Sequence, residues 1–262
     1  MRTPRRKAVQ DVMEPKKALV TIVSAAMALV LVAGCGASSG SSGGSAQGNT
    51  QHKAYAPKIV PSDFSTKIDN KYFPLKPGTT YVYRGETADA TEGDTVKVTS
   101  DTKNIMGVKC VVVDDSVTEG GKLVEQTYDW YAQDKKGNVW YFGEDSKEYE
   151  NGKVKSTGGS WEAGKDGAKP GIIMPANPEV GKTYRQEYYK GEAEDMARAL
   201  KLNGSVKVPY GTFENVLVTD EWTPLEPNIA EHKYYAPGVG NVKEIATKGP
   251  KETLELVDVK HG

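Results

Sequence analysis

The chain has 262 residues, 37% hydrophobic and 26% charged, with 28 Gly, 14 Pro and 2 Cys. That length and apolar content allow one large domain or two small ones with a real core, and two cysteines exclude a disulfide-stapled miniprotein. With 34 Lys+Arg against 35 Asp+Glu there is no nucleic-acid footprint, and three histidines leave little for a His-based metal site or triad.

Lys16-Lys17 precede a 16-residue apolar run, Ala18 to Ala33, which closes in Val32-Ala33-Gly34-Cys35. A basic opening, a short apolar stretch and small residues before a cut site make residues 1–34 a secretory signal peptide. Sixteen residues are short for a spanning helix, which wants about 20; an uncleaved membrane helix is the alternative. The closing Val-Ala-Gly-Cys resembles the bacterial lipobox. That resemblance implies that Cys35 carries a diacylglyceryl thioether, whose two acyl chains anchor stably where one does not. Segment 1–34 holds six basic and two acidic residues, so the mature chain carries 28 against 33, a net −5. Residues 35–54 form the lipidated Cys and a Gly/Ser-rich linker, too poor in apolar groups to bury a core and suited to a flexible tether. Gly36-Ala-Ser-Ser-Gly40 within it matches G-x-S-x-G, without the strand-to-helix context a nucleophile elbow needs.

From Tyr55 to the C-terminus the pattern is one of strands. Thr79–Glu86, Thr95–Ser100, Val108–Thr118, Leu123–Gln133 and Asn138–Gly143 are rich in Val, Thr, Tyr and Trp and are separated by signals such as Glu119-Gly-Gly and Asn151-Gly. Lys182–Tyr189, Ser205–Val208, Asn215–Trp222, Glu231–Ala236, Asn241–Thr247 and Thr253–Val259 continue in the same style. Spacings of this kind favour antiparallel sheet over βαβ units. Glu192–Leu200 is ambiguous. Ala193, Met196, Ala197 and Leu200 fall at helical spacing, but nine residues are marginal for a helix and a strand is equally compatible.

The two halves of this region echo one another. Pro77-Gly78-Thr-Thr-Tyr81 returns as Val180-Gly181-Lys-Thr-Tyr184, 103 residues on. Gly107 with Val111-Val-Val and Asp114-Asp115 returns as Gly211 with Val216-Leu-Val and Asp220-Glu221, and Tyr131-Ala132 with Gly137-Asn-Val139 returns as Tyr235-Ala236 with Gly240-Asn-Val242. The order and near-constant offset point to a duplicated unit, with pseudo-repeats at about 68–165 and 170–259 and a seam near Gly164–Pro178. The expected fold is mainly β: antiparallel sheets forming an open barrel or clam from two half-domains, with at most one or two short helices.

Val208-Pro209-Tyr-Gly211-Thr-Phe213, followed by Tyr235-Ala-Pro237-Gly-Val-Gly240, resembles a V-P-x-G-x-F … Y-A-P-G-V-G pattern of uncharacterised bacterial envelope lipoproteins and domain-of-unknown-function families. The resemblance implies an antiparallel open-barrel sheet, distantly similar to lipoprotein-localisation carriers, and leans toward strand at Glu192–Leu200. It transfers no activity. The motifs read first as turns, with Gly211 and Pro237-Gly238 at bends.

No catalytic constellation is recognisable. His232 stands alone in the domain, Cys110 lies in a Val-rich strand as a small buried hydrophobe, and Gly181-Lys-Thr183 lacks the first Gly of a phosphate loop. Asp114-Asp115, Glu144-Asp145 and Glu192/Glu194/Asp195 are the only enzymatic prospect, as acid and base in glycoside cleavage. Strand neighbours point to opposite faces, so these acids are expected to be solvated charges flanking turns. Asp134 and Asp145 lack the spacing of a Ca²⁺ loop, and neither a metal site nor a cofactor is expected.

Aromatics concentrate between Tyr128 and Trp161, which hold three of the four tryptophans. Tyr128 and Trp130 share one strand face, Trp140 and Phe142 one on the next, so a hairpin brings all four into a patch. Tyr128, Trp130, Trp140 and Phe142 are therefore either core or a platform for a hydrophobic envelope ligand. The expected protein is a membrane-anchored extracytoplasmic lipoprotein, non-enzymatic, binding a hydrophobic small molecule or envelope component. The alternatives are a structural lipoprotein without a ligand and a carboxylate-based hydrolase of envelope polymers.

Overall fold

A computed structural model describes residues 55–87 and 90–262; the signal segment, Cys35 and the linker lie outside the described residues. Apart from one 3-10 turn, Pro61–Asp63, the regular elements among the described residues are strands. The amino-terminal arm carries β1 (Phe64–Ser65), β2 (Ile68–Asp69) and β3 (Pro74–Leu75). A first meander follows: β4 (Thr80–Glu86), β5 (Thr91–Ile105), β6 (Val108–Glu119), β7 (Lys122–Asp134) and β8 (Val139–Glu150). Five short strands connect the halves: β9 (Lys153–Ser156), β10 (Trp161–Glu162), β11 (Lys169–Met174), β12 (Thr183–Arg185) and β13 (Glu187–Tyr188). The second meander is β14 (Met196–Val208), β15 (Gly211–Trp222), β16 (Ala230–Ala236), β17 (Gly240–Lys248) and β18 (Thr253–Lys260).

Local chemistry explains the meanders. β-branched and aromatic residues dominate the strands, and two-residue turns with positive φ at both positions join them: Met106-Gly107 (52° and 79°), Gly120-Gly121 (54° and 78°) and Asn151-Gly152 (54° and 73°). This is the turn whose twist matches that of paired strands. Glu192–Leu200 is no helix. Ala193 bridges Tyr189, and β14 begins at Met196. Its apolar residues at helical spacing serve a strand because β15 is there to pair with it, and pairing outweighs a nine-residue propensity.

The sheet runs β12-β14-β15-β16-β17-β18-β4-β5-β6-β7-β8-β11-β13, with antiparallel pairing throughout. Its two ends are one piece of chain. Thr183–Arg185 pair with Arg198–Met196 on one side, and, one residue later, Glu187–Tyr188 pair with Pro170–Lys169 on the other. The segment 183–188 thus splices the sheet into a nearly closed barrel, leaving few unpaired edges. A separate two-stranded sheet, β2 with β3, lies at one end.

The sequence echoes lie at Tyr81 on β4 and Tyr184 on β12, Asp115 on β6 and Glu221 on β15, and Tyr131 on β7 and Tyr235 on β16. The expected seam region holds β11, one side of the splice, and the halves meet a second time where β18 pairs with β4.

Val98, Cys110, Tyr141, Phe142, Met174, Leu217 and Leu256 are among the fully buried core residues. Cys110 has no disulfide partner among the described residues, and burial pushes its thiol up to about 12. It should resist a thiol reagent such as dithionitrobenzoate at pH 8 and react within the dead time only after unfolding. Rapid labelling of Cys110 in native protein would contradict this packing.

Candidate functional site

Alternation along the strands decides which acids enter the barrel. β5 turns Glu92, Asp94, Val96 and Val98 one way and Thr95 and Lys97 the other; β6 turns Val113, Asp115 and Val117 inward and Asp114 outward. On β7 the inward face is Glu125, Thr127, Asp129 and Tyr131. β8 has a bulge: Asp129 faces Glu144 and Tyr131 faces Tyr141, so Trp130 opposes both Phe142 and Gly143. Gly143 has φ 127°, and the bulge lets Tyr141 and Glu144 share the interior although three positions separate them. From the other half come Glu187, Gln186, Glu221, Lys233, Tyr235 and Glu244.

The expectation of solvated acids fails here. Asp94, Asp115, Asp129, Glu144, Glu187 and Glu244 are all at most 5% exposed. Of each neighbouring pair only one member remains outside: Asp114 accepts from Gln126, and Asp145 pairs with Lys147 at 2.7 Å. A carboxylate is buried at a cost of several kcal/mol unless it is paired or protonated, and both solutions are present.

Around Lys233 the acids are paired. Its ammonium lies 3.1 Å from Glu231, 3.5 Å from Glu244 and 3.8 Å from Glu221. Burial works against that charge, but Glu231, Glu244 and Glu221 together overcome it and raise the pKa. Glu221 also accepts from Thr219 (2.6 Å), Tyr235 (3.0 Å) and Gln186 (3.0 Å).

Across the barrel the acids hold protons instead. Burial first, and then the Asp115 carboxyl beside it, pushes Asp94 well above the usual carboxylate range; the two share a hydrogen bond. Burial and Asp115 raise Asp129, and burial and Glu187 raise Glu144. The Tyr141 hydroxyl sits 2.6 Å from Asp129 Oδ1 and 3.0 Å from Glu144 Oε2. One hydroxyl donates only once, so the other contact needs a protonated carboxyl as donor. Burial, followed by Asp115, brings Glu125 to about 8.

A cavity of about 110 Å³ opens between the two groups. Asp94, Asp115, Asp129, Lys233 and Glu244 form its polar wall, while Leu75, Tyr81, Val96, Val113, Ile173 and Leu254 contribute apolar wall. The arm covers it: Phe73 packs on Tyr131 (centroids 5.4 Å) and Tyr235 (6.4 Å), and Lys71 O accepts from Gly238 N at 2.7 Å. Hydrogen-bonded Asp94 and Asp115 do not have the roughly 5–9.5 Å separation used in glycoside cleavage. No group of three or more His, Cys, Asp or Glu among the described residues is arranged to hold a metal ion.

The four sequence-singled aromatics lie elsewhere. Phe142 (0% exposed) and half-buried Trp140 pack edge-on against Phe64 of the arm, at 5.5 and 6.0 Å. Trp140 Nε1 donates to Asp134, which also accepts from Lys136 N and Asn138, so Asp134 is a turn residue with its oxygens occupied. Tyr128 sits beside Lys147. Trp130 is 5% exposed beneath Lys103, whose Nζ is 3.2 Å from the ring centroid, and it lines a second cleft of about 320 Å³ with Trp161, Glu162 and Lys165. None of the four lines the smaller cavity. His232 Nε2 is 3.8 Å from Asp220 on the outer face.

Of the cavity acids, Asp115 is singled out in the sequence but expected in solvent, and Asp94, Asp129 and Glu244 are not singled out, although a signal for some exists. Val113-Asp-Asp115-Ser-Val117 and Glu125-Gln-Thr127-Tyr-Asp129-Trp-Tyr131 place an acid among inward residues at period two.

Comparison with protein-family models and with curated proteins finds no match. Solved structures similar to this chain include a Bacteroides fragilis protein, described as exported and of YmcC-like fold, which is 17% identical with a TM-score of 0.43 over 72% of this chain and 99% of that one. Another is a Parabacteroides distasonis protein, described as a lipoprotein, 15% identical with a TM-score of 0.40 over 73% of this chain and 99% of that one.

Proposed function

We propose that the protein is a membrane-anchored extracytoplasmic lipoprotein whose barrel is a non-enzymatic binding module for a small molecule with an apolar body. The basic-apolar-Cys35 opening of the sequence supports the location. The covered cavity, lined by both apolar and acidic side chains, supports the binding role, since ligand sites combine an apolar lining with a few convergent polar groups.

Native mass spectrometry of the full-length protein, extracted in mild detergent, tests this. A bound species of defined small mass is the expected result, and Val96→Trp, which fills the cavity, should remove it. If no such species appears and tyrosine fluorescence ignores small apolar compounds, the barrel is a structural module instead.

A further inference from the structure

We infer that the cavity selects a short-chain primary amine, with its ammonium group held between Asp94 and Glu244 and its carbon chain against Val96, Leu75 and Ile173. This rests on the reading of the cavity as a ligand site and names the chemistry of the ligand.

Charge comes first. Four carboxyl groups line the cavity against a single ammonium, that of Lys233. Lys233 is already flanked by Glu221 and Glu231, neither of which lines the cavity. Asp94, Asp115 and Asp129 therefore face the space with no second basic side chain in its wall. Ionising one of these carboxyls needs a cation beside it, which an ammonium brings and an anionic ligand does not.

Hydrogen bonding points the same way. Asp94 is 3% and Glu244 4% exposed, and each keeps one oxygen, Oδ1 and Oε2, without a hydrogen bond. A buried acceptor without a donor is costly, more so when charged. An ammonium has three donors and no acceptor, which suits a wall of acceptors. The rest of the lining is aliphatic and aromatic, so a carbon chain attached to that ammonium meets apolar surface. The volume is below the ~150 Å³ of a cavity that holds benzene, which limits the chain to about four carbons. Burial raises Asp94 and Asp129, so these two hold protons. An arriving ammonium displaces a proton, which returns to solvent.

Butylammonium, butan-1-ol and butyrate are titrated against the full-length protein at pH 7.5 and constant ionic strength, with binding followed by protein NMR. Butylammonium is expected to bind at least tenfold tighter than butan-1-ol, with butyrate weakest. Its affinity should rise by up to about tenfold per pH unit between pH 5 and 8, one proton being released per amine bound, while that of butan-1-ol stays flat. D94N combined with E244Q should lower butylammonium affinity at least tenfold; the pH series on the unmodified chain carries the same inference if that variant does not fold. Equal affinity for the amine and the alcohol, or preference for butyrate, overturns the amine assignment and leaves the ligand cavity standing. Binding of none of the three overturns the cavity reading and the amine assignment with it.

Discussion

The folded protein is expected to melt about 6–12 °C higher at pH 5 than at pH 8. Asp94, Asp129, Glu144 and Glu187 are each raised well above their ordinary values, with burial as the first cause, and Glu125 is raised to about 8. A carboxyl raised in the native state binds its proton more tightly there than in the unfolded chain. Its stabilisation is complete below about pH 4 and drains away as pH climbs from there through the native pKa. Glu125 alone is then worth on the order of 3 kcal/mol between pH 5 and pH 8, at about 1.4 kcal/mol per unit. Groups shifted the other way act outside that window. Glu162 is lowered by Lys103 and Lys165 against the opposing effect of burial, and loses its contribution only in acid; Lys233, raised, loses its own only above its ordinary lysine value. Differential scanning calorimetry across pH 4.5–8.5 checks this, and E125Q should narrow the difference. A midpoint at pH 8 equal to or above that at pH 5 would mean that these acids are ionised and paired by something else.

Gly171→Ala is expected to destabilise the fold by about 3 kcal/mol or more, lowering the melting midpoint by about 6–12 °C. A methyl group there would lie 2.2 Å from Gln186 O, 2.3 Å from Gln186 C and 2.6 Å from Glu187 N. All three are backbone atoms of the splice, so no side chain can turn aside. Accommodating the methyl pushes 186–187 away from β11, whose pairing with β13 spans only Lys169–Tyr188 and Pro170–Glu187. The barrel then opens at its weakest joint and admits water to Glu187, which is 1% exposed. Gly211→Ala is the control. A Cβ there meets Phe213 at an ordinary 3.8 Å, and the change should stay within about 0.5 kcal/mol. Equal effects of the two substitutions, read from urea unfolding, would show that the splice does not close the barrel as described.

How much of this was legible beforehand differs by element. The strands from Thr80 to Asp134 and from Gly211 to Lys260 follow from alternation and from turn signals such as Gly120-Gly121 and Pro237-Gly238, because both are local properties. β8 was read only to Gly143, since a bulge resets the alternation there and the strand goes on to Glu150. Lys182–Tyr189 reads as one strand and divides at Gln186 into β12 and β13, while β10 and β11 carry little local signal. They exist because a neighbour in the barrel offers unpaired backbone groups, and no window of sequence records that neighbour.

By itself the sequence determined the β class, the antiparallel hairpins and the burial of Cys110. Only the tertiary structure decided that the sheet closes on residues 183–188, that Phe73 covers one end, and that acids lie inside while Trp140 and Phe142 lie under the arm. The reason is electrostatic. A carboxyl group's place in a strand is set by period two, but whether it can stay buried depends on protons and partners from distant strands. Gln186 and Glu187 in the splice become the neighbours of Glu221 on β15 and Glu144 on β8 only when the barrel has formed.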